Sequence, residues 1–296
     1  MTLIKRYTAH VSRVTSVYYS LEHDWVLSTS RDKFFSWHST ESSRRIGAYS
    51  TNAWCTTLAY DTQSKHCFVG DNSGNISFIK LTDNGSQFIA NLNGHESTVT
   101  NLVWDSTRKY LYSSSADKKI IVWDIGGQKG ITYDLEGHLD RVYGLIYSSL
   151  TRQLVSAGLD SKLVVWDMIA KRQENPQWST SDDCEFCKRP FFWNLKSMWE
   201  QKKVGLRQHH CRRCGVAVCD PCSSGRSKLP TLGHEYDVRV CSKCVGEITP
   251  EERIPLATFH DTKHSITGTS YDEARKRLIT VGSDRTIKVN LFCSPR

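Results

Sequence analysis

No run of 18 apolar residues occurs anywhere in the 296-residue sequence, so no segment is long enough to cross a bilayer as a helix. The opening Met1-Thr-Leu-Ile-Lys-Arg6 lacks the apolar stretch of a secretory signal, and the chain reads as cytosolic with no transmembrane segment. Charge of one sign is also scarce. A net +8 over this length fits a nucleic-acid binder no better than a protein that visits anionic membranes. With 39% hydrophobic and 24% charged residues, the composition excludes a disordered or fibrous chain. Nothing in the sequence assembles a nucleophile, a metal-bound water or a phosphate cradle, so no enzyme is expected. What is plentiful is tryptophan and cysteine, nine and eleven respectively. In a reducing compartment so many thiols do not suit disulfides, and eight of the eleven fall in four C-x-x-C pairs, the spacing of metal ligands.

Self-similarity organises the rest. Gly94-His95 and Gly137-His138 lie 43 residues apart, as do Asp117 and Asp160, and Trp123-Asp124 and Trp166-Asp167. His10 to Asp32, His95 to Asp117 and His138 to Asp160 each span 22 residues, and Trp37 lies two periods before Trp123. A first copy runs from about Tyr7 to Ala48. A weaker second copy carries Lys80 in place of the tryptophan, and a last one, from His260 to Leu291, carries Asn290 there. Short alternating runs such as Lys119-Ile-Ile-Val-Trp123, set between Asp, Gly and Ser turns, suit four antiparallel strands per copy. Five copies are recognisable. They resemble WD-repeat β-propellers, and the resemblance implies a hydrogen-bonded His, Asp and Trp trio within each blade, structural and without chemistry. The fold class is therefore all-β. Propellers of this kind commonly close with seven blades, so the chain is read as a shortened isoform or an N-terminally incomplete one.

The 43-residue rhythm stops after Asp167 and resumes near Ala257. Insertion at a blade loop is topologically cheap. The segment between holds Cys184-x-x-Cys187, Cys211-x-x-Cys214, Cys219-x-x-Cys222 and Cys241-x-x-Cys244. Only four residues separate Cys214 from Cys219, which disfavours consecutive pairs on one ion. Alternate pairing puts Cys184, Cys187, Cys219 and Cys222 on one Zn²⁺ and Cys211, Cys214, Cys241 and Cys244 on another, two structural ions that supply much of a small module's folding energy. Cys55, Cys67 and Cys293 fall in blade segments and read as small buried hydrophobes.

Between the ligands, Arg207-Gln-His-His-Cys-Arg-Arg-Cys-Gly215 and Arg239-Val-Cys241 resemble the basic signature and the R-V-C element of FYVE zinc fingers. With the blades, the whole chain resembles the WD-repeat and FYVE domain-containing proteins. The expected order is blades one to four over 1–169, a linker 170–177, the zinc finger 178–248, a linker 249–257 and a final blade 258–296. The resemblance implies binding of phosphatidylinositol 3-phosphate by Arg207, His209, His210, Arg212 and Arg239. Guanidinium groups suit a phosphomonoester through paired, charge-assisted hydrogen bonds, and protonation of the histidines strengthens the interaction near pH 6. Asp182 is a candidate acceptor for an inositol hydroxyl. Val204 and Leu206, just ahead of the signature, correspond to the loop that dips into the lipid. Across 178–248 there are 12 Lys and Arg against 8 Asp and Glu, which eight thiolates and two zinc ions bring to neutrality, so recognition has to be local.

Three features depart from the family pattern. Gln208 stands at the second basic position, Trp178 lies close to the first zinc cysteine with the W-x-x-D element disturbed, and 23 residues separate Cys187 from Cys211. That long span holds Phe192, Leu195 and Trp199 at helical spacing, expected to pack on the zinc module or the propeller. Function is expected to be that of a non-enzymatic adaptor, peripheral on early endosomes, whose blades recruit signalling proteins, kinases among them. The alternatives are a zinc-stabilised protein-interaction module without lipid selectivity, a RING-like ubiquitin ligase, which the free His209 and His210 oppose, and nucleic-acid binding through Arg212, Arg213 and Arg226, which is not favoured.

Overall fold

The computed structural model describes residues 3–127 and 130–291; Cys293 lies outside them. Two compact units emerge, one formed by Met1–Thr132, His138–Ile169 and Phe259–Arg296, the other by Tyr133–Gly137 and Ala170–Thr258. No described helix is long and apolar enough to cross a membrane.

The first unit is a five-bladed β-propeller. Blade one comprises β1 (Val14–Ser20), β2 (Trp25–Ser30), β3 (Phe34–Ser39) and β4 (Arg45–Ser50); blade two β5 (Cys55–Asp61), β6 (His66–Asp71), β7 (Asn75–Thr82) and β8 (Gly85–Asn93). Blade three has β9 (Val99–Asp105), β10 (Tyr110–Ser115), β11 (Lys119–Asp124) and β12 (Gly130–Glu136), and blade four begins with β13 (Val142–Ser148), β14 (Gln153–Gly158) and β15 (Lys162–Asp167). The zinc module follows, with α1 (Leu195–Gln201), β16 (His209–His210), β17 (Ala217–Val218), β18 (Gly225–Leu229), β19 (His234–Val240) and α2 (Ser242–Glu247). After it, β20 (Ala257–Asp261) returns to pair with β15 and completes the fourth sheet, and the fifth is β21 (Ile266–Asp272), β22 (Arg277–Gly282) and β23 (Ile287–Leu291). The insert thus interrupts blade four between its third and fourth strands.

Blades one, three, four and five are each tied together by a buried polar chain centred on a histidine. His95 lies 2.9 Å from Asp117 and 2.7 Å from the Ser113 hydroxyl, which also accepts the Trp123 indole N–H at 2.8 Å. The fourth blade repeats this with His138, Asp160, Ser156 and Trp166. Serine is the fourth member, which the sequence period did not disclose. In the fifth blade the histidine is His264, 3.3 Å from Asp284 and 3.2 Å from Thr280, while His260 is exposed. Strand register also relocates two tryptophan slots. Trp123 and Trp166 oppose Leu111 and Leu154; the equivalent places are held by His38 opposite Val26 and Ile79 opposite Cys67, not by Trp37 and Lys80. Asn290 does occupy its slot, opposite Leu278. A single-residue difference in loop length shifts a period count by one, and in a strand one residue reverses the face.

Successive blades are joined by a repeated bulge. The second residue of each innermost strand, Thr15, Thr56, Thr100, Tyr143 and Thr267, is skipped in the register with its neighbour. A bulge re-aims its side chain. Here it directs the Thr15 hydroxyl to the Cys55 carbonyl at 2.9 Å, Thr56 to Val99 at 2.6 Å, and Thr100 to Val142. Apolar packing fills the spaces: Leu27, Trp37, Cys55, Cys67 and Ile79 share one core, and Phe68, Ile76, Val99, Leu111 and Trp123 another.

Ser113→Ala leaves His95 and Trp123 without their shared partner and lowers propeller stability by about 2 kcal/mol, to be read from urea melts against the parent. The Asp117 carboxyl is opposed by burial, but the His95 ring and the N–H groups of Lys119 and Glu96 prevail and hold its pKa below the usual value; Asp160 behaves alike. A depressed folded pKa means a contribution fully present above the unfolded value of about 4 and lost as pH falls through the folded one. Stability therefore drops on acidification below about pH 4, and Asp117→Asn flattens that slope.

Candidate functional site

The eight insert sulfurs gather in two groups, Cys184, Cys187, Cys219 and Cys222, and Cys211, Cys214, Cys241 and Cys244, with the ligand atoms of each group within 4.8 Å of one another. A tetrahedron of thiolates about 2.3 Å from zinc has edges of about 3.8 Å, and Cys187 to Cys219 and Cys214 to Cys241 measure 3.6 and 3.9 Å. Backbone N–H groups point at sulfur as they do around a bound metal: Cys219 to Cys184, Cys241 to Cys211 and Cys244 to Cys241. Although burial opposes it, the N–H groups of Cys187, Cys219 and Phe186 bring the Cys184 thiol down to about 7. Burial, with the Cys211 sulfur, pushes Cys214 up to about 11, and Cys222 and Cys244 rise further. Four thiolates share such a volume around a dication. These are two structural zinc sites, each of four cysteines, interleaved along the chain. Around them Phe191, Ala217, Val218, Leu229, Leu232 and Val240 form a small core.

The zinc cysteines position the basic segment. β16 runs directly into Cys211 and pairs with β17, which runs into Cys219. Neighbouring residues of a strand face opposite ways, and His209 and His210 accordingly have different surroundings. The His210 ring stacks on Trp178 with centroids 4.7 Å apart, its Nε2 lies 2.9 Å from the Ser179 carbonyl, and the Arg212 guanidinium lies over the Trp178 ring, 4.6 Å from its centroid. His209 lies among charges instead. Partial burial, then Arg239 and Arg207, lower its pKa, with Asp220 opposing them. Arg239 donates to Asp220 at 2.6 Å and to the Ser223 carbonyl and hydroxyl. The two halves meet where the Arg212 N–H donates to the Arg239 carbonyl at 3.0 Å.

The strap before the first cysteine is fixed in place. Ser179 N–H donates to the Gly215 carbonyl at 2.9 Å and the Gln208 amide donates to the Ser181 carbonyl at 3.1 Å. Gly215 adopts φ +77, and a Cβ there would come within 2.2 Å of the Gln177 carbonyl, so only glycine lets the strap lie this close. Asp182 is not free; it accepts the Trp193 indole N–H at 3.0 Å. Arg213 is held by Glu247 at 2.8 Å and Glu252 at 3.2 Å, away from this cluster. Val204 is exposed, whereas Leu206 is half-buried on the module core, its N–H bonded to the Pro190 carbonyl. Phe192, Leu195 and Trp199, expected to pack, are exposed. Sequence reasoning missed the Trp178 stack, the Gln208 tie and the Asp220 pairing. A glutamine at a basic position and an acid beside Cys219 were the available signals.

The architecture defines a class, a WD-type propeller that carries a two-zinc FYVE-type module, and comparison with known proteins gives the same result. The FYVE zinc finger family model matches residues 175–250, and the WD domain, G-beta repeat model matches 1–36, 86–124 and 129–167. The blade strands that hold Ile79 and Asn290 lie outside those spans. WD repeat and FYVE domain-containing protein 2 of Mus musculus is 54% identical over 289 residues, 98% of this chain and 72% of that protein. Protein 1 of the same name from Homo sapiens is 53% identical over 289 residues, 98% and 70% of the two chains, and protein 2 of Caenorhabditis elegans 38% over 293 residues, 98% and 70%. The chain belongs to the WD repeat and FYVE domain-containing family.

Elemental analysis of the purified chain gives two zinc ions, and Cys244→Ser reduces that to one. A strong chelator unfolds the module, exposing Phe191 and releasing Trp178 from its stack on His210, while the propeller's β signal in circular dichroism persists.

Proposed function

We propose that the chain is a non-enzymatic adaptor that docks on phosphatidylinositol 3-phosphate in early endosomal membranes and gathers signalling proteins, kinases among them, on its propeller. The observation that carries the lipid reading is the pair of cations, Arg207 and Arg239, close to His209 on one short zinc-anchored strand, with Arg212 seated over Trp178 beside His210. In this reading the protein is cytosolic and peripheral, and residues 178–248 are the lipid-binding part. Arg207 and Arg239 take phosphate oxygens, with His209 beside them, and the phosphate displaces Asp220 from Arg239. Arg212 binds from its seat on Trp178, while His210 keeps that indole in place through the Ser179 carbonyl. Asp182 accepts an inositol hydroxyl if it exchanges the Trp193 indole for it. Val204 is the tip that enters lipid, and Leu206 anchors the loop behind it. The Gln208 amide, in place of a cation, fixes the strap rather than meeting phosphate.

Cosedimentation of the zinc-loaded chain with phosphatidylcholine vesicles containing single phosphoinositides tests this. Selective binding to the 3-phosphate lipid is expected, weakened at least tenfold by Arg212→Ala, an interaction worth upward of about 1.4 kcal/mol. Trp178→Leu, which keeps an apolar side chain but removes the stack, weakens it less. Equal binding to all anionic vesicles, or none, leaves a zinc-stabilised protein-interaction module.

A further inference from the structure

One backbone hydrogen bond recurs at the same end of every blade. The residue after the second strand donates its N–H to the carbonyl of the residue before the first: Arg31 to Arg13 and Asn72 to Trp54, both at 3.0 Å, with the remaining three blades alike. The side chains at these equivalent places set one junction apart. Blades three to five fill them with Thr98 and Ala116, Arg141 and Leu159, and Ser265 and Ser283, whereas blades one and two bring two arginines and a tryptophan together. The Arg31 guanidinium lies over the Trp54 ring, 5.6 Å from its centroid. Trp54 is clamped to Asn72 a second time, its N–H donating to the Asn72 side-chain oxygen at 2.8 Å. Lys33, left-handed at φ 69, accepts both the N–H and the hydroxyl of Thr51, which ties its turn to the loop that leads to Trp54.

Positive charge at this junction has no local counterpart. Arg13, Arg31 and Lys33 are exposed, and none of them enters an ion pair among the described residues. The aspartates of the same turns are engaged inward: Asp32 lies 3.1 Å from His10 and accepts the N–H groups of Val11 and Phe34, and Asp71 accepts those of Ser73 and Asn75. Apolar surface lies on the same turns, with Trp54 at 48% and Val11 at 96% exposure. We infer that this junction of blades one and two holds a short acidic peptide segment of a protein partner, its carboxylates on Arg13, Arg31 and Lys33 and an apolar side chain against Trp54 and Val11. Guanidinium groups pair with carboxylates through two parallel hydrogen bonds, and a guanidinium already seated on an aromatic ring loses less freedom when it does so. Arginine and tryptophan are also the side chains that dominate protein interfaces. The rest of the ring of turns argues against a larger anion. Exposed Glu96 and Asp140 follow the blade histidines in blades three and four, where Val11 and Ser12 follow His10 in blade one. A bilayer or a nucleic-acid backbone laid across that end meets those acids, whereas a short segment covers one junction alone. The inference rests on the adaptor reading above and gives the propeller one partner chemistry; it is independent of the zinc module.

The test uses the zinc-loaded full chain with fluorescein-labelled heptapeptides read by anisotropy: one with acidic residues around a central phenylalanine, one with those acids replaced by their amides. The expected result is binding of the acidic peptide and not of its amide counterpart, weakened about tenfold by Arg31→Gln and several-fold by Trp54→Ala. Arg285→Gln, at the place in blade five that Lys33 holds in blade one, leaves it unchanged. If Trp54→Ala fails to fold, Arg31→Lys decides, since it keeps the charge but gives up the planar pairing and the seat on the ring: a loss smaller than that of Arg31→Gln supports the site, and no loss overturns it. Equal binding of both peptides, binding of neither, or equal losses in Arg31→Gln and Arg285→Gln overturn the inference. So does an Arg31→Gln variant that keeps the peptide but loses phosphatidylserine vesicles or single-stranded DNA, which assigns the patch to a different anion. The two readings fail separately. Acidic-peptide binding that Arg31→Gln removes, in a chain indifferent to the 3-phosphate lipid, sinks the lipid reading alone; selective lipid binding without preference for the acidic peptide sinks this one alone.

Discussion

Eight thiolates around two dications are the constraint on which the functional part of this chain depends. The module's core is a handful of side chains, too small to order a segment of this length without metal. The interleaved pairing anchors the basic strand from both sites: Cys211 and Cys214 of one follow the end of that strand, and Cys219 of the other receives β17, its partner. Sulfur and zinc fix the backbone of the short basic strand on both sides, with Arg239 and Arg207 near His209 and Arg212 over Trp178 beside His210. Backbone N–H groups that point at the sulfurs spread that thiolate charge further.

What the sequence disclosed depended on whether the controlling physics was local. C-x-x-C turns and the Arg207 to Gly215 run act over a few residues, and both the grouping of the cysteines and the family could be read directly. The 43-residue period likewise exposed the blades, because His, Asp and Trp sit at fixed offsets inside one hairpin pair. Offsets that cross a loop were less secure. A loop longer or shorter by one residue placed His38 rather than Trp37, and Ile79 rather than Lys80, in the tryptophan slot. His264 rather than His260 serves the last blade, since the strand beginning at Ala257 belongs to the sheet before it. Long-range partners were invisible: nothing in the residues near Trp178 announces that it will carry His210 on its ring and Arg212 over it, or that Asp220 will meet Arg239.

The propeller and the zinc module solve the same problem differently. In four blades a buried imidazole is satisfied by an aspartate and a serine or threonine, and in three a bulged threonine passes one hydrogen bond to the next blade, so cohesion is distributed and each sheet loses a little if one link is removed. The module concentrates cohesion in two ions. One part of the chain degrades gradually under stress; the other changes state when metal is withdrawn.

The place of the insert has a kinetic consequence. β15 and β20 are neighbours in the fourth sheet, yet residues 168–256 lie between them. Left as a flexible coil, that stretch makes the last strand of blade four a distant partner, and the entropy of closing the loop grows with its length. Folded, it behaves otherwise: Gln173 N–H bonds to the Thr231 carbonyl and Leu256 N–H to the Glu235 carboxylate, so entry and exit are clasped to the two sides of one turn between β18 and β19. A metallated insert hands β20 back to the sheet as if across a short connection. The supply of zinc at the time of synthesis therefore sets how quickly a propeller blade that binds no zinc acquires its edge.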